Sequence, residues 1–201
     1  LLEILVLNFP QRRARGLRRL GRLLLQWRRQ WNRLLTSRRN VVQHYGRDDD
    51  LFRYFLDTEM HYSCAYFSEP DIGLEQAQRA KCRHIMNKLL LRPGQRVLDI
   101  GCGWGGLACY LAEHAGVHVT GLTLAENQRE VAQRRARERG LERRTQFLLE
   151  DYRSHKGCYD RIVSVGMFEH VGLPNYGAYF EAIRRQLAPD GVALVHTIGS
   201  F

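Results

Sequence analysis

Four polar residues stand out because they occupy places where a globular domain usually carries apolar side chains. Cys64 lies among three aromatic rings in the stretch HYSCAYF. Glu169 and His170 follow an apolar run in MFEHVG, and His196 interrupts the apolar run VALVHTI. Taken singly, a cysteine or histidine in such a place is usually part of the core. Together, on segments that flank a glycine-rich loop, they indicate a pocket in which a thiol, a carboxylate and imidazoles meet.

The loop at 101–106 reads GCGWGG; it follows the short apolar run RVLDI and precedes a segment with helical apolar spacing. A strand, a glycine-rich turn and a helix in this order place a ligand across the carboxyl end of the strand. The glycines run G-x-G-x-G-G, whereas dinucleotide sites carry G-x-G-x-x-G. Asp99 lies in the strand just before the loop, where its carboxylate would repel a pyrophosphate. We expect Asp99 either to anchor the loop or to meet a cationic ligand.

The elements that position these residues alternate between strand and helix along the chain. Apolar runs predict five strands, at 96–100, 117–124, 145–149, 159–166 and 192–198. Helical spacing predicts helices at about 74–91, directly after the glycine loop, at 126–139 and at 176–187, and Pro189-Asp190-Gly191 predicts a turn. This alternation indicates an α/β domain with a parallel sheet. The alternative is an α/β domain in which the loop glycines have no ligand.

The charge is concentrated in residues 1–40, which contain eleven arginines and one acidic residue, whereas residues 41–201 carry 20 basic and 20 acidic groups. Leucines and tryptophans recur with helical spacing between Gln11 and Arg39. A basic amphipathic arm at 1–40 is therefore predicted, followed by a domain at 41–201. Such an arm fits a membrane surface that carries anionic lipid. The alternatives are a helix that packs on a protein and a nucleic-acid segment, and the neutral charge of the domain disfavours the latter.

The five cysteines form no C-x-x-C pair, which argues against a disulfide framework and against a zinc site, so no metal is expected. A reducing, cytoplasmic setting follows, with peripheral attachment at the inner membrane surface. The apolar opening LLEILVLNFP is too short to span a bilayer.

Five stretches, in order, resemble the cyclopropane-fatty-acyl-phospholipid synthase family of S-adenosylmethionine-dependent methyltransferases. They are HYGRDDDLFRYFLDTEMHYSCAYF, VLDIGCGWGG, GLTLAENQ, VGMFEHVG and HTIGS, and the resemblance covers residues 40–200. It implies a Rossmann-like class I methyltransferase sheet preceded by N-terminal helices. Because the family's sheet continues beyond a fifth strand, we also expect a domain that is truncated at its C-terminus and lacks the last strands, which would leave this chain a poor binder of the cofactor.

The resemblance also implies a cofactor, an ion and the residues that hold them. S-adenosylmethionine would be bound by nine residues: Tyr62, Ser63, Asp99, Gly101, Gly103, Thr123, Gln128, Asp151 and Tyr152. A bicarbonate ion, held by Cys64, Glu169, His196 and the backbone of Ile198, would remove a proton from the methylated intermediate.

The implied reaction transfers a methyl or methylene group to the cis double bond of a phospholipid acyl chain, with a ring, a methyl branch or a hydroxyl as product. An alkene is a weak nucleophile, so the site has to align it and exclude water. Aromatic faces would stabilise the resulting cation, and the candidates are Tyr66, Phe67, Phe168, Tyr176 and Phe180. The alternatives are a small-molecule N- or C-methyltransferase and a non-catalytic membrane-associated module. Expected partners are acyl chains at an anionic membrane surface; nucleic acid is not expected, and a homodimer is left open.

Overall fold

The computed structural model describes residues 49–69 and 71–199, so the predicted arm and its boundary with the domain lie outside the described residues. Within these residues the helices are α1 (Asp49–Arg53), α2 (Leu74–Lys88), α3 (Gly106–Ala115), α4 (Glu126–Glu138) and α5 (Tyr176–Gln186). The strands are β1 (Arg96–Ile100), β2 (His118–Thr123), β3 (Thr145–Leu149), β4 (Tyr159–Val165) and β5 (Leu187–His196). Two 3₁₀ turns that the sequence did not predict, Phe168–His170 and Leu173–Asn175, lie between β4 and α5.

The five strands form one parallel sheet in the order β3-β2-β1-β4-β5. The chain builds outward from β1 to β3, then returns to the other side of β1 for β4 and β5. The strand order therefore reverses between β1 and β4. In open α/β sheets, ligands bind at the carboxyl ends of the strands at such a reversal. The predicted α/β class with a parallel sheet is confirmed.

Two apolar clusters cover the two faces of the sheet, and β1 contributes to both. Val97 belongs to the cluster formed with α2, α3 and α4, whereas Leu98 and Ile100 belong to the cluster formed with α5. Because successive side chains of a strand point to opposite faces, Asp99 lies on the same face as Val97, towards α2 and α3. The near-continuous apolar sequence of β1 is typical of a parallel strand that is buried on both sides.

One predicted boundary is wrong. β5 begins at Leu187, five residues before the predicted start, and the predicted turn at Pro189-Asp190-Gly191 lies inside it. Tyr159 pairs with Leu187 and Arg161 with Val192, so the residues between leave the ladder as a bulge. Proline has no N–H to donate to a neighbouring strand. The turn residues thus interrupt the pairing of the strand without ending it.

No helix among the described residues combines the length and the apolarity that crossing a membrane requires.

Candidate functional site

A cavity of about 200 Å³ opens at the carboxyl ends of β1 to β4, where the strand order reverses. Its lining comes from the glycine loop, the ends of β2 and β4, the loop after β3, one residue of α2, Gln128 of α4 and the segment before α2. All nine residues predicted to contact the cofactor line this one cavity: Tyr62, Ser63, Asp99, Gly101, Gly103, Thr123, Gln128, Asp151 and Tyr152. The sequence motifs, which are spread over about 90 residues, therefore meet at one place.

The glycine loop reaches the cavity through backbone that other residues could not easily adopt. Gly101 has a φ of +82°, in the left-handed region. A Cβ on Gly101 would lie 2.9 Å from Cγ of Met167, a residue that also lines the cavity. Any larger residue would therefore combine backbone strain with a clash. The missing side chain keeps the loop close to the end of β4 and leaves the cavity open.

Asp99 is buried at the floor of the cavity, with 2% of its surface exposed. Its Oδ2 atom is buried and has no hydrogen-bond partner. Burial raises the pKa of Asp99 to about 7, against the opposing effect of the positive charge of Lys81. An unpartnered carboxylate oxygen inside a cavity is costly unless a ligand supplies a donor. The geometry thus fits the predicted contact between Asp99 and a cationic ligand.

The end of β2 provides a second fixed polar pair. The Thr123 hydroxyl donates to Oε1 of Gln128 over 2.8 Å and accepts from the N–H of Ala125 over 3.2 Å. Both side chains are 5% exposed. Since the amide oxygen of Gln128 is directed at Thr123, its NH₂ group remains as the donor for a ligand.

The loop after β3 positions two carboxylates at the same cavity. Both oxygens of Asp151 are held by the guanidinium of Arg153, over 2.9 and 2.7 Å. Glu150 is held through Oε2 by Nδ1 of His155 over 2.8 Å, and Nε2 of His155 meets the hydroxyl of Tyr159 over 2.7 Å. The resemblance placed Asp151 among the cofactor contacts. The structure places both acids on the cavity and fixes each with a basic side chain that the sequence did not predict.

Residues 57–63, which we call the wall segment, close the cavity in front of the glycine loop. Its first anchor is Asp57, whose carboxylate accepts the N–H of His61 and contacts Nδ1 of the same residue, both over 2.7 Å. Nε2 of His61 lies 3.3 Å from Sγ of the buried Cys82 on α2. These contacts tie the wall segment to α2.

The second anchor of the wall segment is Glu59, which forms ion pairs with Arg135 and Arg139 at the C-terminal end of α4. Arg135 also donates to the carbonyl of Trp104 over 2.5 Å, so it joins the glycine loop to the wall segment. A Cβ on Gly106 would lie 2.7 Å from the carbonyl oxygen of Glu59. The wall segment and the loop can approach this closely only because position 106 lacks a side chain.

The four residues predicted to hold an anion are joined only in part. The N–H of Ile198 donates to Oε1 of Glu169 over 2.7 Å, which brings these two together. The carbonyl of His196 accepts the N–H of Gly166, a cavity residue, over 3.0 Å, and Nδ1 of His196 is buried without a partner. Cys64 is exposed, and within the described part of the chain no hydrogen bond or ion pair joins it to the other three. None of the four is among the residues that line the cavity.

Sequence reasoning missed Lys81, which lines the cavity although it belongs to α2. The buried residues of this helix are Ala77, Gln78, Lys81, Cys82 and Ile85, a helical stripe facing the core. A lysine on the buried stripe of an amphipathic helix is rare unless it has a partner. The position of Lys81 on the apolar face of a predicted helix is visible in the sequence, and it could have identified this lysine as a candidate site residue.

Comparisons with known proteins agree with this geometry. The family model of mycolic acid cyclopropane synthetase matches residues 32–201. The cyclopropane-fatty-acyl-phospholipid synthase of Escherichia coli (strain K12) is 52% identical over 158 residues, which are 79% of this chain and 40% of that protein.

Two solved structures are similar over most of the chain. The cyclopropane synthase MmaA2 from Mycobacterium tuberculosis has a TM-score of 0.77 and 42% identity, over 80% of this chain and 56% of that one. The mycolic acid cyclopropane synthase CmaA1 complexed with SAH and CTAB has a TM-score of 0.76 and 42% identity, over 79% of this chain and 55% of that one. These similarities confirm the predicted fold class. The chain spans about half of the length of these structures and 40% of the curated relative.

The Asp57–His61 anchor leads to a first prediction. Burial alone would raise the pKa of Asp57, but the hydrogen bonds and charge of His61 lower it overall. A carboxylate whose pKa is lowered by folding stabilises the fold at any pH above the pKa that it has in the unfolded chain. This contribution is lost as the pH falls through the lower, folded-state pKa. We expect Asp57→Asn to lower the free energy of unfolding at pH 7 by about 1–3 kcal/mol.

Urea unfolding at pH 7 and at about pH 2 measures this effect. The difference between Asp57→Asn and the unaltered protein is expected to shrink at the lower pH, because the folded protein takes up a proton at Asp57 only below the ordinary carboxyl pKa of 3.8. The exposed Asp71→Asn is the control and is expected to change neither value. A difference that is the same at both pH values would contradict the ionic role of Asp57.

The buried carboxylate at the end of β1 gives a second prediction. A cationic group bound at Asp99 stabilises its ionised form, so below pH 7 binding requires the loss of a proton. The affinity for S-adenosylhomocysteine, which carries an ammonium group, is expected to fall about tenfold for each pH unit below 7. Calorimetric titration between pH 6 and 8 measures it. Asp99→Asn is expected to bind weakly at all pH values without this slope, and an equal slope in this variant would contradict the role of Asp99.

Proposed function

The chain belongs to the mycolic acid cyclopropane synthetase family, and on that premise we propose that the protein transfers a one-carbon unit from S-adenosylmethionine to the cis double bond of a phospholipid acyl chain. The proposed product is a cyclopropane fatty acid, and a methyl-branched chain is the second product that the same reaction can give. The single observation that carries the proposal is the convergence of all nine predicted cofactor residues on one cavity. The unpartnered oxygen of Asp99 inside that cavity supports it.

The lining residues fit the three parts of the proposed cofactor. Asp99 would hold the ammonium group of the amino-acid tail. Thr123 and the amide of Gln128 would bind the ribose hydroxyls, and the acids after β3 with Tyr152 would bind the adenine. S-adenosylmethionine, when bound, supplies an electrophilic methyl group on a positively charged sulfur. The task of the chain's own residues is to orient that group and to exclude water from the place where it reacts.

Aromatic residues next to the cavity offer a surface for the acyl chain. Phe168 directly follows Met167, a cavity residue, and its ring centroid lies 4.3 Å from that of Tyr176 and 5.5 Å from that of Phe180. These three are among the five aromatic residues that the sequence singled out for cation stabilisation. We propose that this cluster contacts the alkene region of the lipid. Tyr66, in contrast, stacks on His84, with ring centroids 5.0 Å apart.

For proton removal we propose the residues joined at the ends of β4 and β5, acting through a bicarbonate ion. The buried and unpartnered Nδ1 of His196 supports an anion site, because a small anion would supply the missing acceptor. The N–H of Ile198 already donates to Glu169. Glu169 and the ion would therefore share the N–H of Ile198 as a donor. The exposed Cys64 would be the ligand of the ion on the side that faces solvent.

A small-molecule N- or C-methyltransferase is not favoured, because the relatives compared above are cyclopropane synthases. A non-catalytic membrane-associated module is the remaining alternative, and the following experiment addresses it. We also propose peripheral contact with the anionic inner surface of a membrane, on the ground that residues 1–40 carry eleven arginines and one acid.

Lipid analysis tests the function. The complete gene is expressed in cells that contain unsaturated phospholipids, and their acyl chains are examined by mass spectrometry and ozonolysis. We expect chains that gain one CH₂ unit and no longer cleave at a double bond. A Gly101→Val variant, which closes the cavity, is the control and is expected to give no product. Unchanged acyl chains with a well-folded and abundant protein would contradict the proposal.

The proposed role of Glu169 in holding the anion leads to a separate test. Glu169→Gln is expected to reduce product formation by about 100-fold or more, because the ion that Glu169 would hold is the proposed general base and a general base typically contributes that much. Affinity for S-adenosylhomocysteine is expected to change less than about twofold, since Glu169 does not line the cavity. Glu181→Gln on α5, an exposed residue paired with Arg184, is the matched control. Unchanged turnover in Glu169→Gln would remove Glu169 from the reaction.

A further inference from the structure

Lys81 is a buried cation whose only described hydrogen bond is to a neutral group. Its side chain lies on the core-facing stripe of α2, is 4% exposed and lines the cavity. Nζ donates to the hydroxyl of Ser63 on the wall segment over 2.7 Å. Among the described residues no carboxylate pairs with it. A buried ammonium group normally requires a counter-ion, and the described residues provide none in contact.

Asp99 lines the same cavity and is a buried carboxylate without a bound cation among the described residues. Its Oδ2 atom is buried without a partner, and no ion pair joins it to Lys81 within the described part of the chain. The two side chains sense one another only at longer range, where the charge of Lys81 lowers the pKa of Asp99. Burial lowers the pKa of Lys81 and raises that of Asp99, so burial works against both charges. Both side chains line the same cavity.

A ligand that carries both charges on one carbon would remove both penalties at once. An α-amino acid group has this character, since its ammonium and carboxylate are separated by two bonds. A phosphate would satisfy Lys81 but would be repelled by Asp99, and a simple amine would leave Lys81 without a counter-ion. A zwitterion is the one of these three classes that matches both side chains.

We propose that Lys81 binds the α-carboxylate of the cofactor's amino-acid tail, opposite Asp99, which takes the α-ammonium. This inference rests on the proposed function, because it takes S-adenosylmethionine as the cofactor. The Nζ–Ser63 bond and the bond from Nε2 of Gln78 to the Ser63 carbonyl over 3.0 Å hold the wall segment where Lys81 reaches the cavity. Lys81 would thus bind the tail and fix the wall segment in front of it.

A pair of ligands that differ only in the carboxylate tests the proposal. Calorimetry compares S-adenosylhomocysteine with its decarboxylated form, which keeps the ammonium group. In the unaltered protein we expect the decarboxylated ligand to bind about tenfold to a hundredfold more weakly. In Lys81→Met the two ligands are expected to bind equally, because the group that distinguishes them has lost its partner. Asp99→Asn is expected to weaken both ligands while keeping their ratio.

Lys88→Met at the exposed end of α2 is the matched control and is expected to leave both affinities unchanged. Equal weakening of both ligands by Lys81→Met would show a structural role only and would overturn this inference alone. If Lys81→Met does not fold, the comparison of the two ligands in the unaltered protein still tests the inference. Equal affinity for S-adenosylhomocysteine and its decarboxylated form would overturn it. Failure of the unaltered protein to bind S-adenosylhomocysteine would overturn both the inference and the proposed cofactor.

Discussion

A carboxylate buried at the end of the central strand is the constraint on which the site depends. Asp99 lies on β1, which is covered on both faces, and the protein gives its Oδ2 atom no partner. Such a group lowers stability unless something binds it. At the reversal of strand order, where open α/β sheets bind ligands, a donor from a bound ligand would offset this cost. The glycine loop, the wall segment and Lys81 can all be understood as the surroundings that such a ligand needs.

Several parts of the site's lining are each held by a second side chain. Arg153 holds Asp151 by both oxygens, and His155 holds Glu150. Arg135 joins the glycine loop to the wall segment. Polar groups held in this way lose little freedom when a ligand arrives, which favours binding.

The residues that line the cofactor cavity could be predicted from the sequence, whereas many of the residues that hold them in place could not. Gly101 and Asp151 follow strands and Thr123 ends one, and parallel strands end at a common edge, so their convergence follows from the order of the elements. The bonds of Arg135 and His155 depend on side-chain directions across long separations, which no local pattern encodes. The β5 start was missed for a related reason: a proline and a glycine predict a turn locally, whereas pairing with β4 continues on both sides of it.

Gly166 links the two halves of the site. Its N–H donates to the carbonyl of His196, and a Cβ on it would lie 3.3 Å from the Cβ of Ser63. Ser63 in turn is bound by Lys81. The strand end that carries the proposed anion residues is therefore in contact with the wall segment that closes the cavity. Gly166 therefore lies against both the wall segment and the backbone of His196. The proposed binding of the amino-acid tail and the proposed proton transfer thus share one structural element.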